Sequence, residues 1–282
     1  MPHTTGTDKP DKPLGTANSA LKARPERRLE NRSRSRRPRK PAPLPGDCSL
    51  KVASYNIHLG IGRDGQLQPA RIAGVINELD ADVICLQEVS RTHGGFDMLA
   101  YLSAATRYQG IAGPTLVTAG GDYGNAILTR HTAGDVQRWD LSVPRCEPRG
   151  AIAMLLNKGG WTVRIVATHL GLWPGERRRQ IRKLIGFMQE TGSMPTVLMG
   201  DLNEWFLWGR PLRWLHRHFK ETPAPATFPA RWPVFALDRI WVEPRHALRD
   251  IGAHQSATAR MASDHLPVTA TIHFSAQAGA KS

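Results

Sequence analysis

The stretch LMGDLNEW, residues 198–205, follows an apolar run with an unusual group of polar residues. The apolar run predicts a buried strand, and Gly200 ends it. Asp201 and Asn203 then follow, two residues apart. In one interpretation they form a turn, with Asn203 capping a following helix. In the other, they face one ligand at the end of the strand. The stretch alone favours the turn, so the choice depends on the other strands.

Other predicted strands also carry polar side chains at their ends. These residues are Asn56, Glu88, His169 and Asp238, together with Asp264 and His265 just before the last strand. Any one of them is typical of a turn or of a structural histidine, but turn chemistry alone does not explain so many. Carboxylate and amide oxygens suit a hard divalent cation, and histidines can transfer protons. The set therefore predicts a metal-assisted catalytic site.

The apolar pattern contains more strands than helices, and the two alternate in the first half of the chain. Strands are predicted at residues 50–57, 82–89, 124–130, 150–157, 161–170, 195–202, 237–244, 247–254 and 266–274. Helices are predicted at residues 69–79, 96–106 and 175–191. This order favours an α/β fold with two mixed sheets packed face to face and helices on their outer sides.

Residues 1–46 differ in composition from the rest of the chain. They contain 12 Lys or Arg against 4 Asp or Glu, whereas the other 236 residues contain 26 against 20. With almost no large apolar side chains, this segment predicts a disordered basic tail that could contact an anionic surface. The folded domain is predicted at residues 47–276, and residues 277–282 are predicted to be a short flexible C-terminus.

Cysteine usage and hydropathy indicate the compartment. The three cysteines, Cys48, Cys85 and Cys146, are odd in number and far apart, which fits neither a disulfide framework nor a zinc site. The sequence shows no secretory signal and no apolar run of about 18 residues. We therefore expect a cytoplasmic protein, with peripheral membrane contact as an alternative. The sequence gives no indication of an obligate protein partner.

Seven motifs together carry a resemblance to a known family: SYNI, LQEV, YGNAILTR, THL, GDLN, DRIWV and SDHLPV, in chain order. As an ordered set over about residues 49–274, they resemble the deoxyribonuclease I-like endonuclease/exonuclease/phosphatase superfamily. The segment TFPARWPVFALDRIWV is similar to small bacterial members. The resemblance implies a four-layer α/β sandwich and a Mg²⁺-dependent phosphoester hydrolase, with Mn²⁺ as an alternative metal.

The resemblance also implies a role for each strand-end residue. Glu88 resembles the principal metal ligand, helped by Asn56, and Asp264 resembles a further carboxylate beside the metal. Asp201 resembles the residue that positions or deprotonates the attacking water. Asn203 resembles the amide that holds this water or a phosphate oxygen.

Two histidines complete the implied catalytic set. His265 resembles the histidine that contacts the scissile phosphate, with Asp238 as its orienting partner, and His169 resembles the second histidine of the deoxyribonuclease branch. The chemistry fits these roles. Attack on an anionic phosphoester builds charge on its oxygens, and an aspartate beside an imidazole raises the imidazole pKa and fixes its tautomer.

Three further residues are candidates for contact with the substrate phosphate. His58 stands where some family branches have an acidic residue, which leaves fewer carboxylates for a second metal; a structural role for His58 is equally favoured. Arg149 begins a strand where related enzymes hold a basic residue, and the alternative is a surface salt bridge. Tyr123 is a weaker candidate, because Tyr before Gly is common in turns.

The family determines the bond that is cleaved but not the molecule that carries it. The main expectation is an endonuclease-like phosphodiesterase acting on nucleic acid, for which the arginines of helix 175–191 could contact DNA, although a solvated helix face is favoured for them. The alternative is a phosphodiesterase or phosphatase acting on a phospholipid or a small molecule. The aromatic and basic residues of segment 204–219, EWFLWGRPLRWLHRHF, suit a lipid interface as well as bases. This composition makes a lipid substrate a serious alternative to nucleic acid. A non-catalytic binding protein on the same fold is least favoured, because the catalytic residues are present.

Overall fold

Eleven strands form two sheets within residues 46–91 and 95–275, which are the residues that this computed structural model describes. The six-stranded sheet contains β1 (Cys48–Asn56), β2 (Val83–Arg91), β3 (Gln109–Thr118), β4 (Gly121–Thr129), β10 (Leu248–Ala253) and β11 (Val268–Phe274), in the order β10-β11-β1-β2-β4-β3. The five-stranded sheet contains β5 (Ala133–Asp140), β6 (Gly150–Lys158), β7 (Trp161–His169), β8 (Thr196–Asp201) and β9 (Asp238–Glu243), in numerical order. The predicted tail, apart from Gly46, and the predicted C-terminal segment lie outside the described residues.

Three apolar clusters separate four layers. Side chains such as Val52 from β1 and Met199 from β8 meet in the cluster between the two sheets. A second cluster joins the six-stranded sheet to three helices: α1 (Pro69–Leu79), α2 (Met98–Thr106) and α5 (Ala257–Ala262). A third joins the five-stranded sheet to α3 (Pro174–Glu190) and α4 (Arg210–Phe219). The predicted α/β fold, with two packed mixed sheets flanked by helices, is confirmed.

Strand register brings the polar strand ends into one row. Strand β7 pairs in parallel with β8, and His169 lies opposite Asp201. Strand β9 runs antiparallel to β8, and Asp238 also lies opposite Asp201. In the other sheet, β1 and β2 are parallel, with Asn56 opposite Gln87. Because each sheet carries such a parallel pair, the ends of strands that are distant in sequence meet at one edge.

The predicted strands and helices all occur, with ends that differ by at most three residues. Four elements were missed: β3, β5, α4 and α5. The missed strands β3 and β5 each lie at the edge of a sheet and are half exposed, so their sequences lack the apolar alternation of a buried strand. Helix α5 has only six residues, too few for a helical period to be recognised.

Glu88 does not end its strand, so that prediction is wrong. Strand β2 continues to Arg91, and its pairing with β4 shifts register between Leu86 and Val89. Glu88 lies in this bulge with a φ of +58°. A bulge in mid-strand turns a side chain away from the regular alternation, and this one directs the carboxylate of Glu88 to Asn56.

The arginines of α3 do not all lie on a solvated face. Arg177 is buried, and its guanidinium forms an ion pair with the buried carboxylate of Glu204, with a distance of 3.2 Å from Nε to Oε2. Arg182 lies over the Trp214 ring at 5.0 Å. The favoured interpretation is therefore wrong for Arg177, which anchors the chain just after Asn203. None of the helices in the described part of the chain is long and apolar enough to cross a bilayer.

Gly200 is required where β8 passes β7. Its φ is +155°, and a Cβ at this position would lie 1.8 Å from the carbonyl oxygen of Thr168. We expect Gly200→Ala to lower the free energy of unfolding by more than about 2 kcal/mol, because both the backbone and the strand pairing must shift. Urea unfolding measures this loss.

Gly186 provides the matched control. It lies within α3, and a Cβ there would meet no atom within 4 Å. Gly186→Ala should therefore leave stability unchanged or raise it by up to about 1 kcal/mol. Equal effects of the two substitutions would contradict the steric argument for Gly200.

Candidate active site

The Asp201 carboxylate lies at the centre of the site and is almost fully buried. Its Oδ1 accepts a hydrogen bond from the backbone N–H of Asn203 at 2.8 Å. Its Oδ2 accepts one from Nδ2 of Asn56 at 3.1 Å and lies 3.5 Å from Nε2 of His169 and 3.7 Å from Nε2 of His265. The two sheets thus meet at this one carboxylate.

Asn203 belongs to the site and does not cap a helix. Its φ is +47°, a left-handed conformation that asparagine tolerates better than most residues. The side-chain Nδ2 donates to the carbonyl oxygen of Leu170 at 2.9 Å and lies 3.0 Å from Nε2 of His169. Helix α4 begins only at Arg210, with Gly209 as its N-cap residue. The predicted helix cap is therefore wrong, whereas the turn is present as the hydrogen bond from the Asn203 N–H to Asp201 Oδ1.

His169 is held as a neutral imidazole. Its Nδ1 lies 3.0 Å from Nη1 of Arg149. Since a guanidinium can only donate, Nδ1 accepts from Arg149, and the amide Nδ2 of Asn203, also a donor, faces Nε2 at 3.0 Å. Donors at both ring nitrogens disfavour the imidazolium form of His169. Burial lowers the pKa of His169 to about 3; the Asp201 carboxylate opposes this shift, and the charges of Arg149 and His265 add to it. This histidine does not gain a proton near neutral pH.

His265 has the opposite protonation state. Its Nδ1 donates to Oδ2 of Asp238 at 2.8 Å, and the same oxygen accepts from the hydroxyl of Thr227 at 2.6 Å. Burial disfavours its charged form, but the carboxylates of Asp238, Asp201 and Asp264 outweigh burial and raise the pKa of His265 to about 10. The ring is therefore an imidazolium near neutral pH, with its Nε2–H facing Asp201.

Oxygen atoms that could coordinate a metal ion lie beside Asp201, on the side of the six-stranded sheet. Nδ2 of Asn56 donates to Oε1 of Glu88 at 3.0 Å, while its Oδ1 accepts from the backbone N–H of His58. Burial raises the pKa of Glu88, and the negative charges of Asp201 and Asp264 raise it further. Within residues 46–91 and 95–275, the ion pairs of Asp201 and Asp264 are with histidines and none involves Glu88. A divalent cation would relieve this excess of negative charge.

A second group of side chains could also hold a metal ion. Ligand atoms of Asp201, Asp238 and His265 lie within 4.8 Å of one another, and all three residues are buried. However, Nδ1 of His265 already donates to Asp238, so a metal at that nitrogen would have to displace this hydrogen bond. The group is better satisfied as an aspartate–histidine pair facing a second aspartate.

The three phosphate candidates lie around this centre. Nδ1 of His58 donates to the carbonyl oxygen of Ile61 at 3.1 Å and lies 3.9 Å from Asp264. Arg149 is 6% exposed, so it is not a surface residue; Nη2 donates to Glu147, and its buried Nε has no partner. Tyr123 interacts with Arg149, and burial raises its pKa. All three adjoin the site, and their contact with phosphate stays a prediction.

Sequence analysis missed residues that hold the catalytic side chains in place. Thr227 donates to Asp238, and Ser263 Oγ donates to the carbonyl oxygen of Asn56 while accepting from the backbone N–H of His265. Glu204 links the stretch after Asn203 to helix α3. Each of these residues lies inside or next to a motif that carried the resemblance, so adjacency was the available signal. Nothing in the sequence identified their partners.

Known proteins resemble this chain in sequence and in fold. The model of the endonuclease/exonuclease/phosphatase family matches residues 53–265. The uncharacterized protein YbhP of Escherichia coli K12 is 29% identical over 246 residues, which cover 80% of this chain and 97% of YbhP.

Two solved structures with named activities or ligands share the fold. The mannosyl-6-phosphatase Bt3783 of Bacteroides thetaiotaomicron has a TM-score of 0.64 and 20% identity, covering 78% of this chain and 98% of its own. D. rerio TDP2 complexed with a single-strand DNA product has a TM-score of 0.61 and 18% identity, covering 80% of this chain and 99% of its own. At such identities the two structures support the fold alone, whereas the family model spans most of the chain. The chain therefore belongs to the endonuclease/exonuclease/phosphatase family.

Proposed function

We propose that this protein is a divalent-metal-dependent phosphoester hydrolase in which Asp201 activates the attacking water. The observation that carries the proposal is the environment of Asp201. Its carboxylate is held by the Asn203 N–H and the Asn56 amide, and it lies between a neutral and a charged histidine. Family members are phosphoester hydrolases.

The donor set fits a hard divalent cation. Glu88 and Asp264 supply carboxylate oxygens beside Asp201, and the raised pKa of Glu88 reflects burial and uncompensated negative charge. Asn56 would contribute its Oδ1 only after releasing the backbone N–H of His58. When bound, Mg²⁺ or Mn²⁺ would polarise the phosphoester and lower the pKa of water. We assign Glu88 and Asp264 as the principal ligands of the metal ion. Asn56 is either a third ligand or a residue that holds Glu88 and Asp201 in place through its amide hydrogen bonds.

The protein side chains would then divide the remaining chemistry. Asp201 accepts the proton of the attacking water, which Asn203 helps to orient. The His265 imidazolium, fixed by Asp238, donates its Nε2–H toward the phosphate oxygens, where negative charge accumulates. His169 stays neutral and holds the Asn203 amide beside Asp201. Neutral and charged histidines on one carboxylate thus serve different purposes.

The substrate is less determined than the reaction. The named relatives differ, since one is a mannosyl-6-phosphatase and another is complexed with single-strand DNA. Contacts with Glu204 and with Trp214 of α4 occupy Arg177 and Arg182, which weakens the expectation that α3 contacts DNA phosphates. Nucleic acid stays the prediction from sequence, with a phospholipid or a small phosphoester as the alternative.

Asp201→Asn removes the proposed proton acceptor while keeping the shape of the side chain. We expect kcat for bis-p-nitrophenyl phosphate with Mg²⁺ or Mn²⁺ to fall by about 10²-fold or more. Asp250→Asn, which changes an exposed residue on β10, is the matched control and should retain full activity.

Parallel assays with supercoiled DNA, single-stranded DNA, a phospholipid panel and p-nitrophenyl phosphate identify the preferred substrate. An unchanged rate in folded Asp201→Asn contradicts the mechanism. No hydrolysis by the wild type with any metal would favour a binding protein.

Glu88→Gln tests the metal site independently of activity. We expect Mn²⁺ affinity, measured by isothermal titration calorimetry, to fall at least about tenfold, because a hard cation loses its principal carboxylate. Glu190→Gln removes an exposed carboxylate at the C-terminal end of α3 and should leave the affinity unchanged. Equal Mn²⁺ affinity of wild type and Glu88→Gln would show that the ligands lie elsewhere.

Arg149→Lys separates two roles for this arginine. If Arg149 orients His169, kcat should fall about tenfold while KM changes little, because lysine cannot bond both His169 and Glu147. If it binds the substrate phosphate directly, KM should rise with kcat nearly unchanged. We expect the first result, from steady-state kinetics on bis-p-nitrophenyl phosphate. Arg145→Lys, an exposed neighbour, is the control.

A further inference from the structure

Three loops beside the catalytic residues expose large apolar side chains. Residues 171–173 follow His169 and Leu170, residues 205–208 follow Asn203 and Glu204, and residues 228–235 precede β9. We call their apolar members that are more than half exposed the aromatic rim: Leu172, Trp173, Phe206, Leu207, Trp208, Trp232 and Val234. The tryptophans 173, 208 and 232 are 71%, 74% and 71% exposed. Side chains of this size are normally buried, so their grouping here requires an explanation.

Contacts within the structure brace these loops against each other and against the site. The Trp205 ring packs edge-on against Phe228 and Phe235, with centroids 5.6 and 4.9 Å apart, which joins two of the loops. The ring of Phe228 lies 4.8 Å from that of His265. Arg177 ties the third loop in, because Nη1 donates to the carbonyl oxygen of Leu172 while the guanidinium pairs with Glu204. The rim is therefore a supported surface around the catalytic cluster.

Around two of the three loops the charges have one sign. Residues 205–220 and 228–236 contain no aspartate or glutamate. Arg210, Arg213 and Arg231 are exposed within them or at their edges. Exposed arginines beside exposed tryptophans match a surface that is apolar inside and anionic outside. Tryptophan is also the side chain most enriched at the boundary between lipid and water.

We propose that the aromatic rim docks the mouth of the active site onto an anionic lipid bilayer. Aliphatic side chains argue for lipid and against stacked bases, because Leu172, Leu207 and Val234 have no ring to stack, yet they are as exposed as their aromatic neighbours. The consecutive run 205–208 is exposed at every position, so its side chains project in several directions. The fluid interior of a lipid bilayer can cover such a run, whereas the bases of a nucleic-acid strand can stack only on rings whose faces are aligned.

The docking has a consequence for the substrate. Because the rim loops adjoin His169, Asn203 and Asp238, a docked protein would place its catalytic cluster at the level of lipid headgroups. The substrate class would then be an amphiphilic phosphoester held in the bilayer surface. This last step rests on the proposed function, whereas the docking itself does not.

Vesicle flotation with the full chain tests the docking. The vesicles are phosphatidylcholine alone or phosphatidylcholine with 30% phosphatidylglycerol, about the anionic fraction that attracts basic surfaces. EDTA is present throughout, so that binding is measured without hydrolysis. The variants are Trp208→Ser/Trp232→Ser and Arg210→Glu/Arg231→Glu, with Arg249→Glu as the charge control. Arg249 is exposed near the start of β10, at the sheet end opposite the site. Far-UV circular dichroism and thermal unfolding check that each variant is folded.

We expect the wild type and Arg249→Glu to float with the anionic vesicles, and the two rim variants to bind at least about tenfold more weakly. The basic tail is the same in every protein, so it cannot produce this difference. Equal binding of wild type and the tryptophan variant, or no vesicle binding by wild type, would overturn the proposal. Loss of single-stranded oligonucleotide binding in the tryptophan variant, without vesicle binding by wild type, would assign the rim to nucleic acid instead. Vesicle binding by a protein that hydrolyses no phosphoester in the separate assays with Mg²⁺ or Mn²⁺ would support the docking and count against the proposed function alone.

Discussion

The site depends on the hydrogen bond between the Asn56 amide and the Asp201 carboxylate, which joins the two sheets at their shared edge. Asn56 ends β1 and Asp201 ends β8, 145 residues apart in sequence, yet Nδ2 and Oδ2 are 3.1 Å apart. A buried carboxylate is costly unless it is hydrogen-bonded or paired. Asp201 meets that requirement only where both sheets reach it, so the packing of the sheets and the integrity of the site are one constraint.

The two histidines beside the Asp201 carboxylate differ in charge because their second partners differ. His169 faces the guanidinium of Arg149, which occupies Nδ1 as a donor and lowers the imidazole pKa together with burial. His265 faces the carboxylate of Asp238, which raises the pKa of the His265 imidazole. Asp201 therefore carries one neutral and one cationic neighbour. This arrangement limits the negative charge of the cluster and leaves it with a single imidazolium.

Sequence analysis predicted most of the architecture because buried strands have strong apolar patterns. It failed at β3 and β5, whose edge positions weaken that pattern, and at Glu88, whose bulge is a property of strand pairing. The structure brings the motif residues together, because most of them end or flank a strand at the same edge and the bulge in β2 turns Glu88 toward Asn56. Their partners could not be predicted in this way, since contacts such as Arg149 with His169 depend on side-chain packing between strands.

The placement of the aromatic rim follows from the same chain geometry as the catalytic cluster. A strand that ends at the site must continue into a loop at the rim of the site, so the residues just after His169 and Asn203 cannot lie elsewhere. Trp205 is only two residues from Asn203, and Phe228 contacts the ring of His265 directly. Any surface that orders these loops would therefore also order the amide and the imidazolium. The exposed loops and the buried polar cluster are in this way connected through very short segments of chain.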